Sequence, residues 1–575
     1  MTGPQRFQAL QTAERAFSHH NKDRHTREVE AGAVHALTLK LGYVLMSRQQ
    51  PQHQPQHQHP QQASEAEIQC ICRCFQHVLN GCSTHHKLQT WQEMGPSELV
   101  PLLLQVLSTM GQAHGTITTS GIETAREVCS VLRVFGKLPV AVPALIRFPG
   151  LIPLCLSIMV SSFERFQQQH QHQHQQHQQG GGPPMQDVSG YSGIERDDDD
   201  SLLLLLCEFL GIFKDWAFQG GRGDKEVMYN TQGIVDVLLN IQQRTDRARI
   251  KEYVTAIWWN LARSHEVAAQ MLQSPDFLTA CQQELARTMT TTTTATTTTT
   301  TAAEATTDQS FTKTKRNTIS TLGNLASLSS SQLVLERDDA LWELLRSIAL
   351  TEPDADCRRR AVRMIRCLSS APVFATRPGL FPCLIAAAKD TDRDVRRQAL
   401  ETLRNNNNHL PIDQEQDVPT LISLVGESSD YETVAAVCRV LAATNKPFPL
   451  DPTTGVAFFR KLRGSSLPQP PDQERAVLDC VRLALQHPEN ATTIRALSPS
   501  CEASNKAMLD LLASLTTQQA AVMDLILELA NEHNRKTMAE NEALLSTIIS
   551  FAQMTTDTNV KTRAKALLAT LVNEL

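Results

Sequence analysis

The stretch "EIQCICRCFQHVLNGC" (67–82) concentrates thiols and an imidazole at helical spacing. At about 100° per residue, Cys70, Cys74 and His77 share one face of a helix. Ile68, Ile71, Phe75, Val78, Leu79 and Cys82 form an apolar stripe on another. Soft ligands on one face, with His85 and His86 downstream, are the donor types that hold zinc, which gives a weak zinc-dependent reading. Against it, Cys72 points away from its two neighbours and no second Cys-x-x-Cys knuckle follows. The expected reading is therefore cysteine as a small packing residue, with no metal and no cofactor.

A second chemistry lies in basic clusters at helix starts: "RTDRARIKEY", "TKTKRNT", "CRRRAVRMIR" and "DRDVRRQALETLR". If these helices stack in register, Arg316, Arg358, Arg359, Arg360, Arg363, Arg393, Arg396 and Arg397 line up as a ridge. Arg247, Arg249, Lys251, Lys313 and Lys315 extend it. Such a ridge would receive an acidic or phosphorylated protein segment. The alternative is a solvated face paired with Asp354, Asp356, Asp392 and Asp394. Nucleic acid is the weaker partner, because aromatic residues are not interleaved and the chain carries a formal charge of −6.

The elements that must position these residues are helices. The 575-residue chain is 41% hydrophobic but only 5% aromatic, and it is too long for one compact core. Two apolar stretches fail as membrane spans: "VAVPALIRFPGLIPLCLSIMV" carries Arg147 and three prolines, and "SLLLLLCEFLGIFKDWAF" is short and charged. The first residues contain no apolar signal segment, and the fourteen cysteines are not at disulfide-like spacings. A soluble protein of a reducing compartment is expected, in the cytoplasm or also the nucleus, with no membrane association. No Walker loop, His-Glu-x-x-His or Gly-x-Ser-x-Gly is present, and no enzyme is expected.

"DTDRDVRRQALETL" (390–403) and "DTNVKTRAKALLATL" (557–571) share an acidic turn, then Val and a basic residue, then Ala and Leu at helical spacing. The late leucines of comparable helices are Leu261, Leu325, Leu368, Leu403, Leu441, Leu485, Leu529 and Leu571. After Leu325 they recur every 35 to 44 residues. The longer first step spans a threonine tract. A period near 40 belongs to stacked helical repeats.

On these motifs the chain resembles the armadillo/HEAT repeat superfamily. The Asp…Val-Arg/Lys pattern is HEAT-like, and "Asn-Leu-Ala" at 260–262 and 324–326 is similar to the third helix of armadillo units. The resemblance implies an all-α, right-handed α-α superhelix, extended with less regularity to about residue 65. It implies a non-enzymatic scaffold or adaptor that holds a partner's segment along the concave face. It further implies that Asn260 and Asn324 hydrogen-bond the partner's backbone. An importin-like transport receptor is the alternative, but the ring-bearing position four residues before each asparagine holds Ala256 and Ser320 here. At the aligned positions of later repeats stand Cys367, Thr402, Val440, Glu528 and Thr570, so the asparagine ladder has two rungs. In "YVTAIWWNLAR", Trp258 is expected in the core with Val254 and Leu261.

Disordered low-complexity insertions are expected to interrupt the array. The segments are 1–47, an N-terminal helical segment, and 48–64, a Gln/His/Pro-rich linker. Repeats follow at 65–165, then a Gln/His/Gly-rich insertion at 166–200. Repeats at 201–287, a Thr-rich loop at 288–311 and repeats at 312–575 complete the chain.

Overall fold

The computed structural model describes residues 27–49, 60–81, 83–111, 119–179, 193–295, 302–328, 337–369, 377–405, 417–427, 431–444, 447–450, 458–462, 471–487, 502–515, 518–530 and 534–573, with a few isolated positions besides. The chain divides into two compact units, Met1–Leu328 and Ser329–Leu575. That division falls inside the segment expected as one array, 312–575.

Unit 1 contains α1 (Arg27–Gln49), α2 (Pro60–Gly81), α3 (Thr84–Met94), α4 (Val100–Gly111), α5 (Thr119–Gly136), α6 (Val142–Arg147), α7 (Leu151–Gln179), α8 (Gly193–Gln219), α9 (Arg222–Asn230), α10 (Ile234–Arg244), α11 (Ala248–Leu261), α12 (His265–Leu272), α13 (Pro275–Ala295) and α14 (Ala302–Ala326). Three rows run through it. Helices α2, α5, α8, α11 and α14 each pack on the next, as do α4, α7, α10 and α13, and the short α6, α9 and α12 form the third row. Each repeat is thus a short helix followed by two long ones.

Unit 2 contains α15 (Asp339–Thr351), α16 (Ala355–Leu368), α17 (Leu380–Ala388), α18 (Arg393–Asn405), α19 (Asp417–Glu427), α20 (Tyr431–Thr444), α21 (Pro471–Gln486), α22 (Glu502–Ser514), α23 (Gln519–Leu529), α24 (Arg535–Ala539), α25 (Glu542–Met554) and α26 (Thr558–Val572). Here the repeat has two helices, except at the end, where the short α24 packs on α25 and α26. The row α16, α18, α20, α21, α23, α26 is backed by α15, α17 and α19 and then by α22 and α25. Helices α16, α18 and α20 begin at 355, 393 and 431, a spacing of 38 residues each time.

The local chemistry of the turns explains this regularity. Gly150, Gly233 and Gly379 stand at φ +80°, +85° and +80°, each one residue before a helix of the second row or its counterpart in unit 2. A side chain in that left-handed conformation is strained, whereas glycine adopts it freely. Nothing lies within 4 Å of a Cβ built at Gly233, so the whole cost of Gly233→Ala is conformational. The expected loss is about 1–2 kcal/mol, read as a lower denaturation midpoint.

The two helices with the Asp…Val pattern, and α16 before them, start on a side-chain cap. Asp354 accepts from Cys357 N–H at 2.8 Å, Asp392 from Val395 N–H at 3.1 Å, and Asp557 from Val560 N–H at 3.2 Å. In unit 1, Trp258 is 1% exposed and packs edge-on to Phe277 with centroids 5.1 Å apart. Its Nε1 donates to Gln242 Oε1 at 2.9 Å, so the indole is both core and satisfied.

Helices close in on each low-complexity tract from both sides. α1 ends at Gln49 and α2 starts at Pro60; α7 runs to Gln179 and α8 starts at Gly193; α13 runs to Ala295 and α14 starts at Ala302. The expected boundaries at 48, 64, 166, 200, 288 and 311 move inward accordingly. Glutamine and alanine extend a helix that tertiary contacts have already nucleated. The remaining parts of the tracts, 50–59, 180–192 and 296–301, lie outside the described residues.

Candidate functional site

The row α5–α8–α11–α14 presents a free face in unit 1. On α8 the half-exposed or exposed positions include Leu204, Glu208, Asp215 and Phe218, with the buried Gly211 between them. The second half of each of the four helices carries a small residue: Ser130, Gly211, Ala256 and Ser320. Gly211 gives the Arg133 guanidinium close passage: it lies 3.3 Å from where a Cβ would be. From that position Arg133 donates to Glu208 at 3.1 Å and to Asp215 at 3.3 Å, tying α5 to α8.

The next two junctions are tied in the same way. Lys214 Nζ sits 5.0 Å from the centroid of the Tyr253 ring, joining α8 to α11. Glu252 joins α11 to α14, accepting from Ser310 at 2.9 Å and pairing with Lys313 at 3.3 Å. Sequence reasoning did not single out Arg133, Lys214 or Tyr253.

Asn260 and Asn324 lie on adjacent helices of this row. Asn260 is 3% exposed, and its Nδ2 makes one long hydrogen bond, 3.5 Å, to the Lys214 carbonyl. Its Oδ1 is buried with no hydrogen-bond partner, and so is Nδ2 of half-buried Asn324. Arg316 is half-buried on α14, two turns before Asn324. Trp259, half-buried, flanks Asn260.

The other ridge arginines belong to unit 2 and separate into two kinds. Arg358 is directed inward: it donates to the carbonyls of Glu352 (2.8 Å) and Pro353 (2.9 Å) and grips Asp390 through Nε (2.6 Å) and Nη2 (2.8 Å). Arg396 repeats this one repeat on, donating to the carbonyls of Asp390 and Thr391, both at 3.0 Å, and to Thr433 Oγ1 at 3.3 Å. Lys561 occupies the same place after its cap and reaches the Gln553 carbonyl at 3.1 Å. These basic residues, four positions after a capping aspartate, fasten the repeat internally.

The second kind is surface. Arg359 pairs with Asp356 and, at 3.4 Å, with Asp394; Arg360 pairs with Asp356 at 2.9 Å; Arg397 pairs with Asp394 at 3.0 Å. Arg363 and Arg393 are exposed. The ridge is therefore interleaved with acids, in the manner of a solvated face.

Cys70, Cys72 and Cys74 are all buried, whereas His77 is exposed, so α2 is covered on more than one side and the four do not converge. Burial pushes the Cys72 thiol well up, aided by the Glu127 charge, which disfavours the thiolate a metal would need. Among the described residues no three His, Cys, Asp or Glu side chains are gathered as a metal ion requires. Among them, too, no helix is long and apolar enough to cross a membrane.

Residues 342–442 match the family model of HEAT repeats. They span α16–α19 and most of α15 and α20. The match lies within unit 2; in each unit the described helices stack row upon row as an α-solenoid. No curated protein sequence matches the chain. Among solved structures, the SYS-1/POP-1 complex is similar at 10% identity and TM-score 0.49, over 93% of this chain and 99% of that one. SYS-1 alone gives 11% identity and TM-score 0.46, over 94% and 86%. A structure of the interaction between cadherin and beta-catenin gives 11% identity and TM-score 0.44, over 96% and 99%.

Proposed function

We propose that the protein is a non-enzymatic scaffold that holds an extended segment of a partner protein along the α8–α11–α14 face of the first solenoid. One observation carries this reading: on successive helices, Asn260 Oδ1 and Asn324 Nδ2 are buried amide atoms without partners. Such an atom costs about 1–3 kcal/mol while unpaired. A passing peptide backbone offers an N–H for the first and a C=O for the second. The small residues at 256 and 320 keep bulky side chains off this strip, and the solenoid repeats that opportunity along its length. An importin-like reading lacks support at Ala256 and Ser320, where no ring is present to flank a cargo side chain. We place the protein in the cytoplasm, in keeping with cysteines that are all free among the described residues.

The test is affinity capture combined with cross-linking mass spectrometry, using wild type and the Asn260→Ala/Asn324→Ala double variant. Cross-links from captured partners to α11 and α14 are expected, with recovery reduced roughly five- to tenfold in the variant. An unchanged set of partners at unchanged recovery would overturn the reading.

A further inference from the structure

A cavity of about 640 Å³ lies between the outer part of α7 and the turn that joins α10 to α11. Along one wall Gln167, Gln171 and Gln175 recur at every fourth residue of α7 and so share a face. Gln167 Nε2 donates to the Arg244 carbonyl at 3.1 Å and fastens this wall to the turn, while Gln171 and Gln175 are exposed. Phe166 supplies an apolar floor, with the Arg247 guanidinium 5.9 Å from its ring centroid.

The turn supplies hydrogen-bond donors. Arg244 and Arg247 both line the cavity and are exposed, and Arg244 has no ion-pair partner among the described residues. Thr245, between them, also lines the cavity and is 1% exposed. Its Oγ1 accepts from Arg247 N–H at 3.2 Å, and its own O–H meets no acceptor among the described residues. A hydroxyl can donate as well as accept, so this proton is available to an acceptor in the cavity. The one acid of the lining, Asp246, is engaged from α13 by Arg287 at 2.5 Å. The same turn leads into α11, whose N-terminus has no side-chain cap, so the positive end of the helix dipole adds to the two guanidinium charges.

We propose that this cavity binds a small phosphate ester, with its phosphoryl oxygens on Arg244, Arg247 and the Thr245 hydroxyl and its polar organic part against Gln171 and Gln175. Guanidinium forks suit phosphoryl oxygens, and carboxamides both donate and accept, as the hydroxyls or ring nitrogens of such an organic part require. The volume falls in the range of small-molecule sites, and a bare phosphate would leave most of it unfilled. Arg247 stands about 20 Å along α11 from Asn260, so the site does not depend on the face proposed above.

The test is isothermal titration of the full chain with AMP, glucose 6-phosphate, their unphosphorylated counterparts adenosine and glucose, and inorganic phosphate. One or both esters are expected to bind roughly tenfold or more tightly than the counterpart and than inorganic phosphate, by a margin that shrinks as salt rises. Arg244→Gln/Arg247→Gln should weaken ester binding roughly ten- to hundredfold, and Thr245→Val roughly fivefold. Gln171→Ala/Gln175→Ala should bring the ester down to the level of inorganic phosphate. These two glutamines and two arginines are exposed, so the thermal midpoints of their variants should match wild type. The Asn260→Ala/Asn324→Ala variant should bind the esters as wild type does. Failure of both esters to bind, or binding that survives the arginine substitutions, overturns the proposal. Inorganic phosphate binding as tightly as the esters reduces the cavity to an ion site and overturns it too. So does a degenerate phosphoserine peptide pool that binds more tightly than either ester, since the ligand is then a protein segment.

Discussion

Glu284→Ala is expected to destabilise the first solenoid by roughly 3–5 kcal/mol. Lys251 on α11 and Glu284 on α13 form an ion pair at 2.5 Å, with each side chain only 3% exposed. Burial draws the Lys251 pKa down, the Glu284 hydrogen bond and charge oppose it, and the balance stays below the ordinary 10.5. Removing the carboxylate leaves a desolvated ammonium with no compensation, which is the costly half of breaking a buried pair. Replacing both residues with apolar ones of similar volume, Lys251→Met/Glu284→Leu, should recover most of the loss.

The sign of the pH dependence follows. Because the folded value lies below the unfolded one, the unfolded chain holds more protons between the two, and stability rises as pH climbs toward 10.5. The single variant, with its shift deepened, should regain stability in alkaline solution more steeply than wild type. Denaturant titrations at several pH values measure this. A loss under 1 kcal/mol with a flat pH response would remove the pair from any structural role.

Arg358→Ala is the second large effect, expected at about 2–4 kcal/mol in the second solenoid. It leaves two carbonyls and the Asp390 carboxylate without their donor, in a site where Arg358 and Asp390 are 11% and 10% exposed. Arg358→Lys should rescue little, since one ammonium cannot reproduce a planar fork bonded to three groups. Arg397→Ala is the contrast: its pair with Asp394 is about half exposed on both sides, and its loss should stay within about 0.5 kcal/mol.

An acid signature accompanies the second effect. Burial alone would raise the Asp390 carboxyl, yet the Arg358 hydrogen bonds and charge and the Asp392 N–H hold it below its ordinary 3.8. Its contribution is fully present above 3.8 and is lost as pH falls through the depressed folded value. Wild type should therefore lose stability below about pH 4 along a limb that is weakened in Arg358→Ala.

Helix identity and repeat length were legible from sequence because apolar period and capping aspartates are local signals. Trp258 reads as core from its spacing to Val254 and Leu261, and all three are buried. What the arginines do was not legible. Arg358 and Arg359 are adjacent in the same basic run, yet one is directed inward to carbonyls and the other lies at the surface among acids. The difference is the angular position on the helix relative to the preceding turn, which only the stacked neighbour fixes. The reach of helix into the Gln/His tract was also missed, because composition alone does not register contacts such as Gln167 Nε2 donating to the Arg244 carbonyl at 3.1 Å.

Asp390 is held from two sides: its carboxylate by Arg358 of one repeat, its carbonyl by Arg396 of the next. A repeat that frays at this joint must release both arginines at once. α16 and α18 should therefore open to hydrogen exchange as a single cooperative block rather than in succession.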